Sequence, residues 1–406
     1  MFNNNAVALI SCYFSYENQN RCKGTYIFLL KTGFCEKCFN VQKTFTLLQK
    51  KTAFMPIFAM NMKRILFIVN PISGTQGKLA IMDLIQEMLD KQLFDWHISH
   101  TEFAGHAETL AKQAALDGYD VVVAIGGDGT VNEVGRALVH TDTALGIIPC
   151  GSGNGLARHL GVPIDPKKAI EVIREAKTRV IDYGKINGLP FFCTCGVGFD
   201  AYVSLKFAAS GKRGLLTYLE NTLTEGLRYK PEFYEIEDEE GKHKMQAFLI
   251  ACGNASQYGN NVYIAPGASI NDGLLDVTVM EPFNIIDAPK VAIQLMNKTI
   301  DQNSHITTFR TRKLKIHRQS EGVVHFDGDP IVMGRDIDIE IVSNGLKVLD
   351  VDKNKVQPFK EVNNLLHIFS DFFNDLEYVS SSEPSQIPKR LMVVNRELLR
   401  KLKNNR

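Results

Sequence analysis

The sequence predicts an α/β fold: an N-terminal three-layer α/β domain followed by a C-terminal, mostly antiparallel β-sandwich domain. Three observations predict it. Between residues 62 and 188, short apolar runs alternate with segments of helical period. Beyond residue 188, strand-like runs follow one another with few helices between them. Glycine-rich turns stand directly behind the apolar runs of the first half, where open parallel sheets bind their ligands.

The elements follow in order. Lys63-Arg64 leads into the apolar run 65–69, closed by Asn70-Pro71, a buried strand ended by a turn. A helix over 78–93 carries Leu79, Met82, Ile85, Met88 and Leu89 on one side. A strand at 97–101, a helix at 106–117, a strand at 121–125, a helix at 131–139 and a strand at 145–148 complete the pattern. Strands that are apolar throughout imply a parallel sheet covered on both faces. A helix over 201–228 then opens the second region. Strands are expected at 233–237, 245–252, 274–280, 314–317, 323–326, 337–342 and 346–351, with one helix at 285–299.

This divides the chain into a poorly structured extension (1–61), an α/β domain (62–188, rejoined by about 346–356), a β-rich domain (189–345) and a tail with one helix (357–406). Composition sets outer limits. Of 406 residues, 45% are apolar and 22% charged, which suits a globular protein and not a disordered one. With 46 Lys+Arg against 45 Asp+Glu, the net charge of +1 removes the long-range attraction expected of a dedicated nucleic-acid binder. No run approaches the roughly 18 apolar residues of a membrane span. A cytoplasmic protein is expected, with transient peripheral contact where a membrane is met. Cys35-x-x-Cys38 has no second pair to complete a zinc site, and Cys150, Cys193, Cys195 and Cys252 read as small buried residues.

Function is concentrated in the turns. Gly126-Gly127-Asp128-Gly129-Thr130, followed by Asn132 and Glu133, sits between a buried strand and a helix. Glycines there let a phosphate reach backbone N–H groups. A carboxylate among them repels phosphate unless Mg²⁺ or a substrate hydroxyl lies between. Asp128 therefore points to a metal-bridged nucleotide or to a general base. A second turn, Gly151-Ser152-Gly153-Asn154, follows the next strand, and a third, Asn70-Pro71-Ile72-Ser73-Gly74, follows the first. None has the Gly-Lys-Ser/Thr of a P-loop.

Together these turns resemble the catalytic domain shared by diacylglycerol kinases, sphingosine kinases and bacterial diacylglycerol-kinase-like lipid kinases, over about residues 63–352. Asn70-Pro71-x-Ser73-Gly74 resembles the family's first nucleotide loop, Thr101 with Gly105-His106-Ala107 its Thr…Gly-His-Ala segment, and Gly126 to Thr130 its Gly-Gly-Asp-Gly-Thr signature. Pro149-x-Gly151-Ser152-Gly153-Asn154 is similar to Pro-x-Gly-Thr-x-Asn, with Ser for Thr. The resemblance implies ATP and Mg²⁺ as cofactors, a cleft between the domains as active site, and a lipid hydroxyl met at the membrane surface as acceptor. It implies nucleotide contacts at Asn70, Pro71, Ser73, Gly74, Thr101, Gly126, Gly127, Asp128, Gly129, Thr130, Asn132, Glu133, Gly151, Ser152, Gly153 and Asn154. Asp200, in Gly198-Phe199-Asp200-Ala201, which is similar to the family's Gly-x-x-Asp-Ala turn, would line the lipid headgroup site. Ser269, Asp272 and Leu274 would hold a structural Mg²⁺. Asp327-Gly328-Asp329 resembles Asp-Gly-Glu, whose Glu is the proton acceptor in bacterial members. Here Asp329 is one methylene shorter, so proton transfer falls to Asp128, to Asp329 or to both. Lys206, Lys212, Arg213, Arg228 and Lys230 would face either anionic lipid or solvent. NAD kinases and phosphofructokinases share Gly-Gly-Asp-Gly-Thr, so a soluble acceptor stays open. So do a binding protein without turnover, the identity of the acceptor lipid, and a homodimer.

Overall fold

The computed structural model describes residues 62–73, 77–209, 229–284 and 287–352. The expectations for the 1–61 extension, Gly74, the helix beyond residue 209 (with Lys212, Arg213 and Arg228) and the tail lie outside them. Four strands form the parallel half of the first sheet: β1 (Lys63–Val69), β2 (Phe94–His100), β3 (Val121–Gly126) and β4 (Ala144–Pro149), in the order β2-β1-β3-β4 with β2 as the partly exposed edge. Five helices accompany them: α1 (Lys78–Met88), α2 (His106–Leu116), α3 (Asp128–Leu138), α4 (Gly155–Leu160) and α5 (Pro166–Glu175). α2 packs on α3 and α1 on α5. Val122, Val123, Ala124 and Ile125 of β3 are fully buried, as a strand covered on both faces requires.

The sheet does not end at β4. β16 (Asp336–Leu349) runs alongside, Val348 pairing in parallel with Leu145, and continues into antiparallel partners. These are β5 (Thr178–Ile186) with β6 (Leu189–Phe191) on one side of the path, and β13 (Lys313–Arg318), β8 (Glu232–Glu237) and β9 (Lys242–Ala247) along it. The second sheet has the order β12-β11-β10-β7-β14-β15. Its strands are β7 (Thr194–Gly198), β10 (Leu249–Gly253), β11 (Leu275–Met280), β12 (Ile306–Thr311), β14 (Gly322–Phe326) and β15 (Asp329–Met333). α6 (Phe199–Ala209) packs on β7, β14 and β15, and α7 (Ala288–Asn297) lies further on. The sandwich core forms where Ile236, Ile316 and Ile339 of the first sheet meet Val197, Ile250 and Val324 of the second.

Two expectations change. The strand expected over 245–252 is two strands, because the chain passes from the first sheet to the second at Phe248. The strands expected at 337–342 and 346–351 are one, β16, with a register shift between Val342 and Leu346. There Asn344 is left-handed (φ +55°) and Gly345 has no room for a Cβ against the Tyr183 ring. β16 thereby serves both halves, so the rejoining strand is also the seam. Among the described residues no helix is long and apolar enough to cross a membrane.

Asp182 holds this seam. It is buried, and its two oxygens accept from Asn344 N (2.7 Å) and Gly273 N (2.8 Å). Removing the buried carboxylate takes the partner from the N–H groups of half-buried Gly273 and exposed Asn344, at about 0.5–1.5 kcal/mol each. Asp182→Ala should therefore lower stability by about 1–3 kcal/mol in urea denaturation followed by far-UV circular dichroism.

Candidate active site

The glycine turns converge because they follow neighbouring parallel strands. Asn70 leaves β1, Thr101 leaves β2, Gly126 ends β3 and Cys150 follows β4. Asn70 N–H donates to Ile125 O (3.1 Å), and its side-chain amide donates to Thr130 Oγ1 (3.0 Å). Ser73 Oγ donates back to Asn70 O (3.0 Å), and Thr101 N–H to Val69 O (2.9 Å). The β3 and β4 turns touch backbone to backbone. A Cβ on Gly151 would lie 2.7 Å from Gly127 Cα, so only glycine allows the approach. Asn154, left-handed at φ +52°, closes its own turn by accepting from Gly151 N and donating to Gly151 O.

Asp128 fastens the two turns. Its Oδ2 accepts from Asn154 N–H (2.8 Å) and its Oδ1 from Gly155 N–H (2.6 Å). A Cβ on Gly153 would lie 2.7 Å from Oδ2. Burial pushes the Asp128 carboxyl above the usual range, while those amides and the Arg158 charge pull against it. Lys78, the first residue of α1, adds a cation, with Nζ 3.3 Å from Ser73 Oγ and close enough to Cys150 to act on its thiol. The sequence pattern did not single out Lys78. Its one signal is a lysine opening the helix behind the Asn70 turn.

The β14–β15 turn adjoins these turns through Cys193. Asp327, left-handed at φ +52°, accepts from the N–H groups of Phe192 (2.8 Å), Cys193 (2.7 Å) and Thr194 (3.2 Å). Burial raises its carboxyl to about 6, against the pull of those amides and of Arg136. Cys193 lies between the two carboxylates. Its sulfur is 3.4 Å from where a Gly155 Cβ would stand, and burial, Asp327 and Asp128 together push its thiol well up. Asp329 Oδ2 is 3.1 Å from Arg136 Nη2 on α3, the helix that Asp128 begins. The Asp128 turn and the Asp329 turn are thus joined twice, through Gly155 and Cys193 and through α3.

Several residues have other placements than the resemblance implies. Glu133 is not presented to a nucleotide: its oxygens accept from Gly105 N (2.9 Å) and Ala107 N (3.1 Å), capping α2. Asp200 does not line an open cleft. It is 5% exposed, accepts from Ala201 N and Tyr258 Oη, and lies 2.9 Å from His325 Nε2. Asn132 is buried, its Nδ2 without a hydrogen-bond partner, whereas Pro71, Gly129 and Ser152 are exposed. Lys206 lies over the Tyr202 ring.

The metal set also differs. Ser269 Oγ donates to Asn271 Oδ1, and Asp272 Oδ1 accepts from Leu274 N. Arg310 reaches across from β12, its Nε 3.1 Å from Asp276, its Nη1 3.5 Å from Asp272 and its Nη2 donating to Gly267 O (2.7 Å). The Asp272 carboxylate, the one side-chain ligand that the resemblance gives to Mg²⁺, thus already faces the Arg310 cation, which a bound ion would have to share it with. Among the described residues no three His, Cys, Asp or Glu side chains gather as a metal cage. A Mg²⁺ carried by nucleotide phosphates needs only one or two carboxylates, and Asp128 can supply one.

Comparison with known proteins agrees with this architecture. Residues 64–186 match the diacylglycerol kinase catalytic domain, and residues 193–349 the YegS C-terminal NAD kinase beta sandwich-like domain. The chain is 28% identical over 277 residues to a diacylglycerol kinase of Bacillus subtilis, covering 66% of this chain and 90% of the other. It is 30% identical over 263 residues to the "Probable lipid kinase YegS-like" protein of Chromohalobacter salexigens, covering 63% and 85%. A crystal structure of a diacylglycerol kinase from Bacillus anthracis shares the fold at 22% identity with a TM-score of 0.55, covering 72% of this chain and 98% of that one.

The raised Asp327 carboxyl makes stability depend on pH. Between about 4 and about 6 the folded chain keeps a proton that the unfolded chain has released, so this contribution is complete below the ordinary value and lost above about 6. Denaturation midpoints taken across that window should fall with rising pH, and Asp327→Asn should flatten the slope.

Proposed function

This chain belongs to the diacylglycerol kinase catalytic-domain family of lipid kinases, and on that premise we propose that it transfers the γ-phosphoryl group of ATP to a lipid hydroxyl. The observation that carries the reading is the pair of glycine turns held in backbone contact by Asp128, with a second acidic turn adjoining them. Phosphoryl transfer passes through a loose transition state, so positioning and charge neutralisation supply most of the catalysis. The turns at 70–73, 126–130 and 151–154 would bind the triphosphate through backbone N–H groups, with Lys78 as their fixed cation. Mg²⁺ bound with ATP at Asp128 would offset charge on the phosphates.

Asp329 is the proposed proton acceptor. The lipid oxygen attacks the γ-phosphorus, its proton passes to the Asp329 carboxylate, and the bond to the β–γ bridging oxygen breaks with its electrons leaving on ADP. Asp329 suits this better than Asp128, because half of its side chain is open while both Asp128 oxygens are taken by amides. Asp128 is then the organiser of the phosphate turns. The acceptor would be met at the membrane surface, since the reacting hydroxyl belongs to a lipid.

The test uses purified full-length protein, radiolabelled ATP and mixed micelles of diacylglycerol, monoacylglycerol, sphingoid base and phosphatidylglycerol, with NAD as a soluble acceptor in parallel. A labelled lipid product is expected. Labelled NADP without labelled lipid would overturn the reading, and so would ATP binding without any product. Asp329→Asn should lower kcat by about 10²–10⁴-fold, the usual loss for a general base. Lys78→Gln should raise KM for ATP about tenfold, as expected for loss of one charged phosphate contact.

A further inference from the structure

The family pattern has Glu where this chain has Asp329, and the side chain is shorter by one C–C bond, about 1.5 Å. A proton acceptor with less reach has to be carried closer to the reacting oxygen. Three features of the structure bring the Asp329 turn onto α3. Arg136 Nη2 lies 3.1 Å from Asp329 Oδ2. The Arg136 guanidinium carbon stands 4.8 Å from the centre of the Phe326 ring, so the same side chain grips both ends of the turn. Gly135, the preceding residue, seats α3 against Phe192, where a Cβ would lie 2.7 Å from the ring.

Arg136 is placed to use this proximity. Its side chain is 18% exposed, and its Nε is buried with no hydrogen-bond partner. It stands eight residues after Asp128 on the same helix, about two turns along it. One end of α3 is therefore fixed to the phosphate turns and the other to the acceptor turn. We propose that Arg136 is a positioning residue for the acceptor side: by holding the 326–329 turn on α3 it places the shortened Asp329 carboxylate where the longer Glu would otherwise reach. This rests on the reading of Asp329 as proton acceptor.

The test compares full-length wild type, Arg136→Gln, Arg136→Lys, Asp329→Asn, Asp329→Glu and the double variant Arg136→Gln/Asp329→Glu. The acceptor is whichever lipid the micelle panel phosphorylates fastest, and kcat and KM are measured for both substrates. Arg136→Gln should lose about 10²-fold in kcat, the scale of a misplacement near 1 Å, with KM for ATP unchanged. Arg136→Lys should recover part of that loss. Adding Asp329→Glu to Arg136→Gln should restore at least tenfold, because the longer side chain no longer needs the grip, while Asp329→Glu alone should bring no gain. Arg136→Gln turning over within twofold of wild type while Asp329→Asn is inactive would overturn the inference and leave the Asp329 reading standing. Full turnover by Asp329→Asn would overturn both. If Arg136→Gln does not fold by circular dichroism, Arg136→Lys decides: wild-type kcat would overturn the inference, and a lowered kcat with unchanged KM for ATP would support it.

Discussion

One half-buried carboxylate, Asp128, organises the glycine turns at the ends of β3 and β4. Asp128 takes two backbone N–H groups from a turn 26 and 27 residues away and holds it against its own. The approach is tight enough that Gly151 and Gly153 have no room for side chains, and Gly127 little. A triphosphate needs such a surface, because a phosphate can collect several N–H groups only where no Cβ stands in the way. Burial works against the charge on Asp128, and the amides work for it. The same balance recurs at Asp327, where three amides face one half-buried carboxylate. Each turn is thus shaped by a carboxylate that has exchanged water for backbone.

These two carboxylates belong to one connected structure. Asp128 leads through Gly155 to Cys193, whose N–H is held by Asp327, and along α3 to Arg136 and Asp329. The continuous sheet supports this closed path. β16 pairs with β4 at one end and with β13 at the other, so the parallel and antiparallel halves share a strand. The half-exposed Arg136–Asp329 pair contributes little to stability by itself, about 0–1 kcal/mol. Its consequence is directional: it selects where a carboxylate points on a frame already fixed by the sheet.

Much of this was legible in the sequence because the signals were local. The strands β1, β3 and β4 are apolar throughout and end in glycine turns, so period and punctuation coincide, and each lies within two residues of its expected bounds. β5, β6, β7, β12 and β15 were not expected. β5 is interrupted by Asp182 and Gly184, and β15 starts inside the Asp-Gly-Asp-Pro turn, so neither has a clean alternation. The site residues were legible as types and not as partners. Glu133 reads like one more polar residue of a phosphate turn, yet the N-terminus of α2 lies beside it and takes both its oxygens. Asp200 reads like a headgroup ligand, yet Gly196 opens a place beneath α6 where His325 and Tyr258 meet it. Neither neighbour is visible from spacing.

Two acidic turns that the resemblance singles out share a physical form. At Asp329 a shorter acid meets Arg136, 193 residues away in sequence. At Asp272, where the pattern implies a metal, Arg310 arrives from the paired strand, its register fixed opposite Asp276. A guanidinium suits both positions, being permanently charged, planar, and able to bond several oxygens without shedding a tightly held water shell. At Asp272 it does with one side chain what a bound ion would do, joining two carboxylates and the Gly267 carbonyl. At Asp329 it sets the direction of a side chain that has lost reach. In each case the carboxylate lies in a recognisable turn, and the arginine that completes it comes from another element of the fold.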